Sequence, residues 1–300
     1  MTVVFGGDFR QVLPVIPKGT RTDIVSASLK KSYLWDSIIV LKLTQNMRLH
    51  QPDCTPHEAA ALSDFSSWVL SIGNGQNCSI MVASTYPDLQ HNYYNVEYLQ
   101  GRAILAPHHE MVRQINSYML SQIPGEDSTY YSSDSIANAD GTGSISNPEY
   151  PIEFLNTLQL GGLPNYELKL KVGVPVLLLR NIDQTAGLCN GTRLIIIRLG
   201  QWSIEAKILT GTHIGDHVFL PRRQYPIALC FAMTINKSQG QSLNNVGLCL
   251  RHQVFCHGQL YVAVSRVTTR KGLKILSCND EGEEVKTMKN IVFKEVLNEE

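Results

Sequence analysis

Phe231-Ala232-Met233-Thr234-Ile235-Asn236-Lys237-Ser238-Gln239-Gly240-Gln241-Ser242 opens on an apolar run and ends in a polar, glycine-containing turn. The run begins earlier, at Tyr225, and Pro226-Ile227-Ala228-Leu229-Cys230 keeps it almost free of polar side chains. Apolar sequence without alternation predicts a central strand buried on both faces, as in a parallel sheet covered by helices. The turn that leaves it offers N–H groups and short polar side chains, which suit phosphate oxygens, with a helix N-terminus expected behind them. Lys237-Ser238 lies in this turn without the G-x-x-x-x-G-K-[ST] spacing of a phosphate loop.

Working outward, Val246–Leu250 reads as a strand, His257–Ser265 as a helix and Gly272–Leu276 as a final strand. Upstream, Arg102-Ala103-Ile104-Leu105-Ala106-Pro107 is a strand, and Val112, Ile115, Met119 and Ile123 follow at helical spacing. That strand-loop-helix unit is the building block of a parallel α/β sheet. Ile38–Leu43 and Thr2–Phe5 also read as strands, the second running into Gly6-Gly7-Asp8. A strand so close to residue 1 leads us to expect sheet neighbours that this chain does not supply.

Residues 125–149 are rich in Gly, Ser, Asp, Asn and Thr, as in Asn138-Ala139-Asp140-Gly141-Thr142-Gly143-Ser144, and predict a long loop. From 169 to 222 short β-like runs alternate with turns: Val174–Leu179, Asn190-Gly191, Leu194–Ile197 and Ser203–Leu209. A small barrel inserted in the α/β domain is expected there.

With 43% hydrophobic and 17% charged residues, the chain can bury two cores rather than one. Its formal net charge of zero gives no bulk attraction to nucleic acid. DNA contacts would rest on local clusters, at Lys30-Lys31, Arg222-Arg223 and Arg266, Arg270, Lys271 and Lys274. No apolar run reaches the roughly 18 residues of a membrane span, and the start lacks a signal peptide's charged and small-residue regions. Seven cysteines without regular spacing suggest the reduced thiols of an intracellular protein. A zinc site at Cys249, His252, Cys256 and His257 has the wrong spacing for a paired-cysteine knuckle, and Cys249 falls in an apolar strand. No metal ligands are assigned within the chain.

Three further segments carry candidate chemistry. Gly6-Gly7-Asp8-Phe9-Arg10-Gln11-Val12-Leu13-Pro14-Val15 places an amide, Gln11, in a loop after a strand. Leu43-Thr44-Gln45-Asn46-Met47-Arg48 ends a strand on an arginine. Gly258-Gln259-Leu260-Tyr261-Val262-Ala263-Val264-Ser265-Arg266-Val267-Thr268 ends a helix on another. A glutamine can orient an attacking water, and an arginine can meet charge developing on a γ-phosphoryl group.

With the 231–242 stretch, these segments follow the motif order of superfamily 1 helicases. Together with Leu170–Asn181 and Leu188–Arg193, they resemble the PIF (petite integration frequency) and RecD-like helicases. The wording is close both to the variants encoded by rolling-circle (Helitron) transposons and to their cellular relatives. Asn236 stands where members often carry His.

The resemblance implies an α/β fold, a RecA-like parallel-sheet domain with the end of a preceding RecA-like domain, plus a small inserted SH3-like β-barrel. Residues 1–36 would end the first RecA-like domain. Residues 37–124 and 223–300 would form the second, interrupted by a loop-rich insert at 125–168 and the SH3-like insert at 169–222. Gln11, Arg48 and Arg266 would be catalytic. Those three with Gln239 and Gly240 would face nucleotide, and Thr234, Asn236, Lys237, Ser238 and Gln241 would face DNA.

ATP and Mg²⁺ are the implied cofactors, yet neither a phosphate-loop lysine nor an Asp-Glu pair for the metal occurs here, and both are expected upstream of Gly6. The implied activity is 5′-3′ translocation on single-stranded DNA and at DNA forks, in the nucleus, serving repair, recombination and telomere maintenance. The alternative is a truncated, non-catalytic DNA-binding remnant of such a helicase, and the chain alone is expected to be inactive.

Overall fold

The computed structural model describes residues 3–44, 47, 56–73, 78–79, 85–132, 164–221, 225–251, 253–277 and 287–297. The chain divides into two compact units, one of Met1–Thr85, Ala103–Val112 and Met233–Glu300, the other of Tyr86–Arg102 and Arg113–Ala232.

The first unit is built on a four-stranded sheet in the order Ala232–Thr234, Arg102–Ala106, Asn245–Leu250, Leu273–Ser277. Its last two strands run parallel, from Val246 opposite Leu273 to Leu250 opposite Ser277. Parallel pairing needs a crossover, and the crossover carries the helix Gln259–Val264, whose six residues are all buried. The longer helix Pro56–Gly73 packs against it. Leu105, Val246, Leu248, Leu260 and Val262 form the core between these layers. The expected strands at 102–107, 246–250 and 272–276 and the helix at 257–265 are all present within a few residues of their expected limits.

Two expected strands are absent. Residues 3–5 and 38–44 run without strand pairing, and Val4 and Ile39 are 89% and 87% exposed. A β conformation is held by a ladder of hydrogen bonds to a neighbour, and among the described residues no strand lies beside either segment.

The second unit centres on a five-stranded antiparallel sheet, ordered His217–Pro221, Ser203–Ile208, Arg193–Leu199, Pro175–Leu178, Ile227–Leu229. Alternation along Ser203–Ile208 turns Ile204, Ala206 and Ile208 inward. The β character expected between 169 and 222 is therefore real. Ser128–Tyr131 pairs separately with Glu167–Leu170, and most of the expected 125–149 loop lies outside the described residues.

The long apolar run from Tyr225 is not one central strand. Ile227–Leu229 pairs with Pro175–Leu178 in the antiparallel sheet, and Ala232–Thr234 ends the order of the other sheet. Between them the backbone is held by side chains. Asn116 Nδ2 donates to the carbonyls of Leu229 and Ala232, each at 2.9 Å, and its Oδ1 accepts the Ala232 N–H at 2.8 Å. The Tyr86 hydroxyl donates to the Phe231 carbonyl at 3.0 Å. Periodicity could not show this break, because burial in either sheet demands the same apolar residues.

Arg193 is wholly buried and donates to the carbonyls of Leu99, Gln100 and Arg102 at 2.9–3.1 Å. Two of these are in the last turn of the helix Val96–Gln100, where carbonyls have no partner within the helix.

Candidate functional site

The loop after Gly7 is a turn organised by Asp8. Its Oδ1 accepts the Arg10 N–H at 3.0 Å, its carbonyl accepts the Gln11 N–H at 3.0 Å, and its Oδ2 accepts the Tyr261 hydroxyl at 2.9 Å. Short local bonds of the first kind are what Asp offers a turn. His257 holds the same loop by its backbone. Its Nδ1 accepts the Phe293 N–H at 2.7 Å and its Nε2–H donates to the Phe9 carbonyl at 2.9 Å. A backbone donor on Nδ1 fixes the neutral tautomer. Burial holds the imidazole pKa below its ordinary value, outweighing the bond to Phe9 that raises it.

Gly258 adopts φ +68°, and a Cβ there would meet the Arg10 and Gln11 carbonyls. Only glycine allows this approach.

The turn after Thr234 is a single 3₁₀ turn, Ile235–Ser238, in place of the expected α-helix start, and the chain then continues to the strand Asn245–Leu250. Ser238 is 0% exposed and its hydroxyl donates to the Ile235 carbonyl at 2.6 Å. Thr234 is also buried, Asn236 and Lys237 are half-buried, and Gln239 and Gly240 are exposed. Asn236 Oδ1 lies 3.5 Å from Gln259 Nε2. Gly240 takes φ +83° with open space where a Cβ would be.

Gln239 Nε2 donates to Gln11 Oε1 at 2.8 Å, which joins the 231–242 segment to the 6–15 segment. Arg266 follows the helix Gln259–Val264 and is 8% exposed. Its Nε donates to the Val262 carbonyl at 2.9 Å, Nη1 to the Gln241 carbonyl at 3.2 Å and Nη2 to Ser265 Oγ at 2.8 Å. The guanidinium therefore lies against the 238–241 turn, and the Leu243 N–H donates to the Arg266 carbonyl at 2.9 Å. Gln11, Gln239, Gly240, Gln241 and Arg266 are thus gathered around one turn. Arg48 lies outside the described residues.

Two carboxamides, exposed Gln239 and half-buried Gln11, beside a guanidinium present donors suited to oxyanions. They do not suit a divalent cation. Asp8 is the carboxylate here, and its oxygens already hold Tyr261 and Arg10. Among the described residues no group of three His, Cys, Asp or Glu could hold a metal. His252 lies outside the described residues, and both His257 ring nitrogens are committed to backbone groups.

His257 and Tyr261 were not singled out from the sequence for this site. Their signal, position 257 just before a helix and 261 one turn into it, is shared with any amphipathic segment.

Residues 1–81 match the family described as PIF1-like helicase, residues 153–199 the DNA helicase Pif1 2B domain, and residues 217–295 a family described as helicase. The chain is 31% identical over 188 residues to an ATP-dependent DNA helicase PIF1 from Xenopus laevis, covering 57% of this chain and 27% of that protein. The Homo sapiens protein of the same description is 31% identical over 186 residues, covering 57% and 26%. The chain thus spans about a quarter of the length of these relatives.

Among solved structures, the Pif1 helicase from Candida albicans matches with a TM-score of 0.60 at 20% identity, covering 97% of this chain and 66% of that one. The Bacteroides Pif1 helicase in complex with ADP-AlF3 and single-stranded DNA matches with a TM-score of 0.54 at 20% identity, covering 90% and 60%. At that identity these structures speak for the fold alone, a RecA-like α/β architecture. Three segments in chain order are thus similar to helicase families, the first to the PIF1-like helicases and the second to the Pif1 2B domain, on a fold similar to that of solved Pif1 helicases.

Proposed function

We propose that the chain gives an ATP-dependent DNA helicase the face that meets the γ-phosphate of ATP and the track that follows single-stranded DNA from 5′ to 3′. The observation that carries this reading is the contact of Gln11 with Gln239, beside the turn that Arg266 braces. Gln11 would orient the attacking water, and Gln239 and Gly240 would border the phosphate. Arg48 and Arg266 would meet the charge that develops on it. ATP hydrolysis also calls for Mg²⁺, whose ligands this site does not supply. Asn236, Lys237 and Gln241 would run beside the DNA, over a turn shaped by Thr234 and Ser238.

Residues 1–36 are read as the end of a first RecA-like domain, 37–124 and 223–300 as the second. The sheet within 169–222 is read as an SH3-like insert after the loop-rich segment 125–168. Single-stranded DNA and forks are the proposed partners, and the nucleus, with repair, recombination and telomere maintenance, is the setting suggested by the eukaryotic relatives. No described helix is long and apolar enough to cross a membrane.

These 300 residues contain no phosphate-loop lysine motif, so the proposed site calls for a phosphate-loop domain beside it. DNA-stimulated ATP turnover of the purified 300-residue chain decides how much the chain can do alone. No turnover is expected. Turnover that copurifies with the chain and is abolished by Gln11→Ala would show that it carries a complete site.

A further inference from the structure

Asp8 uses its two carboxylate oxygens for different purposes. One closes the turn onto the Arg10 N–H and the other receives the Tyr261 hydroxyl. Tyr261 sits on the short helix that leads to Arg266. Its carbonyl accepts the Ser265 N–H at 2.9 Å, and the Ser265 hydroxyl oxygen accepts Arg266 Nη2 at 2.8 Å. One chain of hydrogen bonds therefore runs from the Gln11 turn through Asp8 and Tyr261 to the arginine.

We propose that Tyr261 is a positioning residue: through Asp8 it fixes the turn that presents Gln11, so that Gln11 and Arg266 are offered to the nucleotide as one unit. The inference rests on the functional reading of Gln11 given above.

The chemistry suits a fixed link. Burial, followed by the neighbouring Asp8 charge and the bond to Asp8, pushes the Tyr261 pKa up to about 12. The hydroxyl thus stays a donor throughout the neutral range. A phenol donating to a carboxylate makes a stronger hydrogen bond than two neutral groups do. His257 and Gly258 hold the main chain of the same loop, through the Phe9 carbonyl and the close approach at Arg10. Removing the hydroxyl alone therefore leaves the loop on the helix and frees only the Asp8 side chain and the turn it closes. The effect expected is a loss of aim, not of folding.

Tyr261→Phe tests this, with hydrogen exchange read by NMR on the full chain. ATP turnover is read on the chain joined to a phosphate-loop domain from a family member. Exchange at the Arg10 and Gln11 amides should rise about tenfold, while the Leu243 amide, bonded to Arg266, is unchanged. In the joined protein kcat should fall about tenfold with KM for ATP unaltered, the mark of an interaction used in the transition state. Unchanged exchange at Arg10 and Gln11 would overturn the link itself. Faster exchange with undiminished kcat, where Gln11→Ala does lower kcat, would overturn the positioning role. If Gln11→Ala leaves kcat intact, the reading of Gln11 fails, and the proposal with it, whatever the exchange shows.

Discussion

Gln239 and Gln11, 228 positions apart in the chain, meet side chain to side chain at 2.8 Å. Neither is buried, so the contact contributes little to stability. It does place two carboxamides at one surface point, and the predictions below follow from what surrounds that point.

Arg266 braces the 238–241 turn through the Gln241 carbonyl as well as carrying charge. In the chain joined to a phosphate-loop domain, Arg266→Ala should lower kcat by about 10³ with little change in nucleotide affinity. Arg266→Lys should rescue poorly, because an ammonium cannot donate from Nε and both Nη positions at once. Arg270, whose guanidinium lies 5.6 Å from the Trp68 ring centre, is the control, and Arg270→Ala should leave turnover almost unchanged. Equal, mild effects at 266 and 270 would remove Arg266 from the site.

Arg193→Met should destabilise the second unit by about 3 kcal/mol, since three carbonyls, that of Leu99 fully buried, would lose the guanidinium. Urea unfolding measures this. A loss under about 1 kcal/mol, within the range of an ordinary surface change, would mean that water replaces the guanidinium.

His257 should make stability depend on pH. The native structure needs the neutral ring, and the pKa is depressed below the ordinary 6.5. The unfolded chain therefore binds a proton first as pH falls. The stabilisation is complete above about pH 6.5, is lost as pH drops below that, and levels off beneath the folded pKa. Arg21 and Glu295, the charged groups facing the ring, act in opposite directions on it. Thermal unfolding of the wild-type chain and His257→Gln at pH 7.5 and 5.5 checks this, with a smaller drop expected for the variant. Parallel drops would place the titration elsewhere.

Binding of single-stranded DNA should be weak and should fall steeply with salt. With a formal net charge of zero the chain has no excess of cations for phosphates, and each contact releases counterions. A fluorescence titration across a salt series reads the slope. Tight binding indifferent to salt would point to base stacking instead.

Much of this was legible in the sequence because it is local. The strand Arg102–Ala106 and its following helix, the strand Asn245–Leu250 and the buried helix Gln259–Val264 each carry their periodicity in a few neighbouring residues. The polar turn at 235–242 and the glycine at 258 are likewise local, since a left-handed backbone favours glycine. The segments carrying the resemblance could be ordered along the chain without any coordinates.

Tertiary structure alone decided the rest. Val3–Phe5 and Ile38–Leu43 have the composition of strands, but composition cannot supply a neighbour, and among the described residues no strand lies beside them. The apolar run after Tyr225 gave no sign that Asn116 and Tyr86 would break it between two sheets. Nor could spacing show that Tyr261 and His257 close on Asp8 and Phe9 from some 250 residues away. Hydrogen bonds between distant residues depend on where the core places each backbone, and that placement is a property of the whole packed chain.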